Sequence, residues 1–380
     1  MLKIFVTGDN HIGKKYDRYP DVREKLIQSR FDSMRDMVRQ AEKEGCGLFV
    51  VTGDLFDSTS TVKAGDVKQV AEILAEFSGT VLVLPGNHDY YTGDERVWKD
   101  FEKALQDHAH NVTVLNKCRE YSFEIGDEQA VIYPAFCHAK HSPQNNLAWI
   151  REMEIPSNDV YRIGIAHGAL AGITPDRREE YFLMTEKELW DIPVDIWLIG
   201  HTHIPYPDLK EGEDTTGYRI FNPGTHEQTD LHNNTEGCCF VISLEKSPEK
   251  TVVSAHKYIS GRVRYYDLVL HNRAEEKVSL QEKLEEITAD LVPDAVVRVK
   301  ISGTIRQREY EEKAGTYQAI LGRFLTYEVE DQELSPEITV EKIRGEFSEL
   351  SFAAKFMEQL LDDPVELQMA YGLMQQCRDA

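Results

Sequence analysis

Short runs of Val, Ile, Leu and Phe recur along the chain, and each stops abruptly at polar residues: Leu2 to Val6, Leu48 to Val51, Val81 to Leu84, Arg162 to Ala166, and Ile196 to Ile199. Apolar runs without alternation predict strands buried on both faces. Between the first three lie the helix-patterned stretches Val22 to Glu44 and Val67 to Phe77, the latter with apolar residues at 67, 70, 71, 74 and 77. Strand, helix, strand, helix, strand predicts a parallel sheet with covering helices.

From Val112 the strands are more closely spaced: Val112 to Leu115, Tyr121 to Ile125, Ala130 to Tyr133, Tyr218 to Phe221, Cys239 to Leu244 and Val252 to His256. They predict a second, mixed sheet packed on the first, so that residues 1–260 form a four-layer α/β/β/α sandwich. Residues 261–329 repeat the strand and helix alternation on a smaller scale, which predicts an α+β capping domain. Residues 330–380 read as an acidic, Pro-containing linker, Glu330 to Pro336, followed by a helical arm.

Composition narrows the class. The 380 residues are 41% hydrophobic and 29% charged, the profile of an ordinary globular protein. The N-terminus is too quickly acidic for a signal peptide and no run reaches the ~18 apolar residues of a membrane span, so a cytoplasmic protein without membrane contact is expected. Six cysteines without CxxC spacing suggest buried free thiols rather than zinc or disulfides. A net charge of −23 argues against a protein that holds nucleic acid mainly through a basic surface, so a nucleic-acid role would need local basic patches, bound metal or a partner.

The chemistry sits where the strands stop. Asp9 and His11 follow the first strand, Gly53, Asp54 and Asp57 the second, Asn87, His88 and Asp89 the third, His167 the fourth, and His201, Thr202 and His203 the fifth. Ligands in open α/β sheets bind beyond the carboxyl ends of strands, so these tips are expected to converge. Asp9/His11 and His201/His203 are spaced to point to one side of an extended backbone. Carboxylate, imidazole and amide together suit Mn²⁺, Fe or Zn better than Mg²⁺ or Ca²⁺, and so many ligands suit two ions. Taken singly, each piece has a plainer reading: a helix cap for Asp54, an Asn-rich turn for GNHD, a core histidine for His167. Their joint occurrence, in this order, favours the metal site.

The ordered set GDNH (8–11), GDLFD (53–57), GNHD (86–89), AHG (166–168) and GHTH (200–203) resembles the calcineurin-like metallophosphoesterases over about the first 260 residues. Within them, GDLFDS and the long C-terminal extension look most like the SbcD-type nuclease subunits of bacterial DNA repair complexes. The resemblance implies that Asp9, His11, Asp54 and His203 hold one metal, that Asp54, Asn87, His167 and His201 hold the other, and that Asp54 bridges them. It further implies His88 as general acid, Asp57 as the carboxylate that orients it, and an SbcC-like ATPase as partner. A small-molecule or cyclic-nucleotide phosphodiesterase or phosphatase on the same core is the rival enzyme. A non-enzymatic adaptor on a decayed core is the rival of another class, and the intact ligand set argues against it.

Weaker signals remain. Arg177 and Arg178 could meet a nucleic-acid backbone or be a solvated pair, and Lys257, Arg262, Arg264, Tyr265 and Tyr266 form a basic and aromatic stretch or a mixed-charge strand. In the tail, Ile343, Phe347, Leu350, Ala354, Met357 and Leu361 recur at steps of three and four, the stripe of one amphipathic helix, and Asp363-Pro364 would start a second. Residues 328 to 366 carry twelve Asp/Glu against three Lys/Arg, so the arm should avoid DNA and suit a basic protein surface. The expected occupant is the SbcC-like ATPase; the arm's own body or a homodimer is the alternative.

Overall fold

The computed structural model describes residues 1–108, 111–156, 160–173, 180–233, 235–247 and 250–379. They divide into two compact units, Met1–Tyr266 with Asp294–Val296, and Asp267–Pro293 with Val297–Ala380.

The first unit carries strands β1 (Leu2–Thr7), β2 (Leu48–Val51), β3 (Thr80–Val83), β4 (Val112–Val114), β5 (Tyr121–Ile125), β6 (Glu128–Ala135), β7 (Tyr161–His167), β8 (Ile196–Gly200), β9 (Ile220–Phe221), β10 (Cys238–Lys246) and β11 (Thr251–Ile259). Its helices are α1 (Arg23–Glu44), α2 (Ala64–Ala75), α3 (Arg96–His108), α4 (Ala148–Arg151) and α5 (Glu186–Trp190). One sheet runs β11-β10-β1-β2-β3-β4 and the other β5-β6-β7-β8-β9.

Strand alternation makes the layers. Leu2, Ile4, Val6, Leu48 and Val50 face Ile132, Ile163, Ile165, Ile196 and Leu198 of the other sheet in one apolar core. Phe5, Phe49, Val51 and Val81 turn the other way, against Met34, Val70 and Phe101 of the helices. Ala166, Trp197 and Ile199 cover the far face of the second sheet with Ile150 of α4 and Leu189 of α5. Residues buried on both faces have no polar side to show, which explains the unbroken apolar runs and gives the expected α/β/β/α order.

The membership of the sheets differs from the sequence reading. Strands β4, β10 and β11 extend the first sheet instead of joining the second, and β7 and β8 belong to the second. The run Cys238 to Leu244 is apolar on both faces and so fits inside a sheet, beside β1, with Phe5 opposite Val241. Four cysteines are buried as expected, but Cys118 and Cys377 are exposed. Among the described residues no helix is long and apolar enough to cross a membrane.

The second unit holds most of a sheet ordered β12-β13-β14 (Arg264–Asn272, Ala295–Ile305, Thr326–Pro336), with helices α6 (Leu280–Thr288) and α7 (Gln307–Leu321). Residues 330–336, expected as a linker, continue β14. Two of their three acids have ion-pair partners: Glu330 lies 3.6 Å from Arg298, and Asp331 2.8 Å from Lys313. The arm is α8 (Val340–Glu346), α9 (Phe352–Gln359) and α10 (Pro364–Asp379), which Asp363 caps through the Glu366 amide, 3.1 Å. The single helix expected across 343–361 is broken at Phe347, whose backbone is extended, and restarts where Ser351 caps α9. Ile343, Ala354, Met357, Leu367 and Tyr371 then form a core of the arm's own.

Candidate metal centre

The carboxyl ends of β1, β2 and β3 in one sheet and of β7 and β8 in the other deliver Asp9, His11, Asp54, Asn87, His167, His201 and His203 to one place. Four of these, Asp9 (φ 47°), His11 (φ 45°), Asp54 (φ 51°) and His201 (φ 99°), sit in left-handed backbone. Each such residue costs of order 1 to 3 kcal/mol, strain that the surrounding packing sustains. Gly53 has φ +112°, and a Cβ there would stand 2.1 Å from Nδ1 of His167. Only glycine lets the two tips approach so closely.

The ligand atoms fall into two groups. His11 Nε2 lies 3.1 Å from His203 Nε2, which is 3.6 Å from Asp9 Oδ1. Asn87 Oδ1 lies 3.0 Å from His167 Nε2 and 2.9 Å from His201 Nδ1. Asp54 Oδ2 stands between them, 3.8 Å from His11 Nε2 and 3.4 Å from His167 Nε2. The two sets that the resemblance implies are therefore brought together, with Asp54 in the shared position.

The donors fit divalent cations. Nδ1 of His167 faces the Thr52 carbonyl at 2.9 Å, which assigns the ring's N–H there and turns Nε2 toward Asn87 and Asp54, both acceptors. Acceptors aimed at one another are stabilised by a cation between them. Asp9 Oδ1 is buried without a hydrogen-bond partner. Burial, followed in the same direction by Asp54, pushes the Asp9 carboxyl up to about 8. Burial works the same way on Asp54, but His167, His11 and His88 override it and hold that carboxyl well below its ordinary range. Burial keeps His11 and His203 low, hence neutral and able to ligate. Burial would lower His167 too, but Asp54 prevails and lifts it to about 9, so Nε2 carries either a proton or a cation.

His88 lies beside this cluster, its ring 4.7 Å from that of His11 and edge-on to it. Its amide donates to Asp54 Oδ1 at 2.7 Å, and its Nδ1 is 3.3 Å from the Asp57 backbone carbonyl. The Asp57 carboxylate is 3.3 Å from Nδ1 of His11. The side chain expected to orient His88 is thus directed at His11, although one ring nitrogen of His88 remains within 4.8 Å of it.

Asp89, placed by the sequence at the third strand tip without a role, is fully buried and accepts from the amides of Phe56 (3.0 Å) and Gly86 (2.7 Å), tying the Asp54 loop to the Asn87 loop. Other supporting residues were not evident from the sequence. Asn222 donates to the carbonyls of Thr202 and Ile204, and Thr225 to that of Asp9. Buried Arg30 donates to the Asn10 carbonyl between two ligands. Tyr181 stacks on His201, centroids 5.0 Å apart. The contiguity of GNHD and NPGT was the available signal; for Arg30 and Tyr181 there was none.

The cations of the basic and aromatic stretch have acidic partners. Lys257 pairs with Asp208, Arg262 with Asp36, and Arg264 with Glu236, while Tyr265 is buried. Arg177 and Arg178 lie outside the described residues.

Residues 2–205 match the family model described as calcineurin-like phosphoesterase. A curated relative, an uncharacterized metallophosphoesterase YhaO of Bacillus subtilis, is 29% identical over 182 residues, 47% of this chain and 42% of its own, so the match spans under half of that relative's length. Among solved structures, the calcineurin-like phosphoesterase YfkN of Bacillus subtilis is similar at 14% identity and TM-score 0.37, over 68% of this chain and 90% of its own. A purple acid phosphatase from yellow lupin is similar at 12% identity and TM-score 0.40, over 68% and 51%.

Proposed function

The chain belongs to the calcineurin-like phosphoesterases, and from that premise we propose that it is a binuclear metal-dependent phosphodiesterase, a DNA nuclease of the SbcD type that works with an SbcC-like ATPase. The observation that carries the binuclear reading is Asp54 Oδ2, within 3.8 Å of one ligand group and 3.4 Å of the other. Asp9, His11, Asp54 and His203 would hold one ion, and Asp54, Asn87, His167 and His201 the other, with Mn²⁺ the proposed ion and Fe or Zn the alternatives this mixed donor set also suits. When bound, such ions supply Lewis acidity that makes water a nucleophile near neutral pH and offsets phosphoryl charge.

The protein's own groups do the rest. Two dications less the charges of Asp9 and Asp54 would leave about +2, which a hydroxide nucleophile and a singly charged diester bring to zero, whereas a doubly charged monoester overshoots. His88 delivers a proton to the departing oxygen, and its backbone bond to Asp54 fixes where it stands. The DNA assignment is supported by the resemblance in GDLFDS and by the second unit with its arm, which a small-substrate enzyme does not require.

The test is the purified chain with Mn²⁺ against linear duplex DNA, circular single strands, a chromogenic diester and a chromogenic monoester. The reading expects cleavage of DNA and of the diester, and little of the monoester. Turnover of the monoester alone would overturn it.

A further inference from the structure

In strand β7 (Tyr161–His167) Arg162 stands five residues before His167, which puts it about 17 Å from the metal centre at ~3.3 Å per residue. At that far end a cleft of about 540 Å³ is lined by Arg162, Trp190, Asp195, Arg219 and Lys250 among others. In a chain of net charge −23, a concentration of cations there needs an explanation.

Asp195 does not supply it. Its carboxylate already accepts from the Arg162 amide (2.7 Å), Thr251 Oγ1 (2.6 Å) and Lys246 Nζ (3.1 Å), with the Arg162 guanidinium at 3.3 Å. Arg219 adds a second guanidinium, which donates to the Val194 and Asp195 backbone carbonyls and lies 4.6 Å from the centre of the Trp190 ring. Burial pulls Arg219 below its ordinary value, and Arg162 pulls the same way against Asp195. Lys250 is exposed at the rim. Counting Asp191 and Lys246, four cations meet two carboxylates. Trp190 is 46% exposed, so part of its indole is accessible from solvent.

A guanidinium layered on an accessible indole, with spare positive charge around it, matches the two halves of a nucleotide: the ring system stacks and the phosphate pairs. We propose that this cleft is a second site, remote from the metal centre, that binds the phosphate of a nucleotide through Arg219, Arg162 and Lys250 with its base against Trp190. The proposal does not depend on what the metal centre cleaves.

The full metal-loaded chain is titrated with deoxyadenosine monophosphate, with a cleavage-resistant phosphorothioate oligomer of deoxyadenosine, and with inorganic phosphate. Native protein, Arg219→Glu, Lys250→Glu and Trp190→Ala share one metal centre, so binding there is common to all and cancels. The site requires saturable nucleotide binding that weakens at least ten-fold in Arg219→Glu and measurably in Lys250→Glu, with chromogenic diester hydrolysis unchanged. Trp190→Ala should weaken the nucleotide and the oligomer but not inorganic phosphate. Tighter binding of the oligomer marks a strand as the ligand, and equal binding marks a free nucleotide. Should Arg219→Glu melt early, exposed Lys250→Glu decides. Nucleotide and oligomer titrations that are the same in Lys250→Glu and native protein, or no saturable binding at all, overturn the proposal.

Discussion

The carboxylate of Asp57 stands 3.3 Å from Nδ1 of His11. A carboxylate behind a ligating imidazole sets its tautomer and raises its basicity, and loss of such a partner weakens metal affinity by about 10- to 100-fold. Asp57→Asn should therefore lower Mn²⁺ affinity by about that factor, with activity recovered at excess metal. Equilibrium dialysis checks it; native affinity in the variant would leave Asp57 without this role.

His88 touches the cluster through its backbone and presents its ring beside it. His88→Ala should keep both metals and slow diester cleavage by about 10² to 10⁴, the usual contribution of a general acid. Metal analysis separates the outcomes, because loss of an ion would make His88 a ligand.

How much was legible follows from where the contacts lie. Asp9, His11, Asp54, Asn87, His167, His201 and His203 could be read because each stands at or just past the end of an apolar run, with a glycine at or near the tip, a local arrangement. The direction of Asp57 could not, since it depends on how the Leu55 to Asp57 turn meets Ile12 and His11. The pairing of β10 with β1 spans most of the first unit, beyond any local pattern. The break at Phe347 was hidden because the apolar spacing continues across the gap, as the three helices share one core.

In the second unit Arg298 clamps Asp267 with two bonds of 2.8 and 2.6 Å. The Arg298 hydrogen bond, ahead of the opposing effect of burial, lowers the Asp267 carboxyl from 3.8 to about 2. A folded-state value below the unfolded one adds stability that is present above about pH 4 and lost as pH falls through 2. Asp267→Asn should melt a few degrees lower at pH 7 and converge with the native protein near pH 2. A difference independent of pH would assign the effect to packing.

The arm buries its own core yet leaves Leu350 81% and Phe352 75% exposed, with Met369 and Leu373 also open. We propose this acidic, apolar-tipped surface as the seat of the ATPase partner. Leu350→Glu with Phe352→Glu should abolish capture of a purified SbcC-like ATPase while diester hydrolysis stays within about two-fold, since exposed substitutions rarely change stability by more than about 0.5 kcal/mol. Undiminished capture would remove the arm from the interface.

The most direct test of the account is to titrate the metal-free chain with Mn²⁺ while following hydrolysis of a chromogenic diester. With Asp54 shared between two ligand groups, activity should rise with the second equivalent of metal, and Asp54→Ala should be inactive at any concentration. Full activity at one equivalent, or hydrolysis that persists without metal, would contradict a binuclear centre.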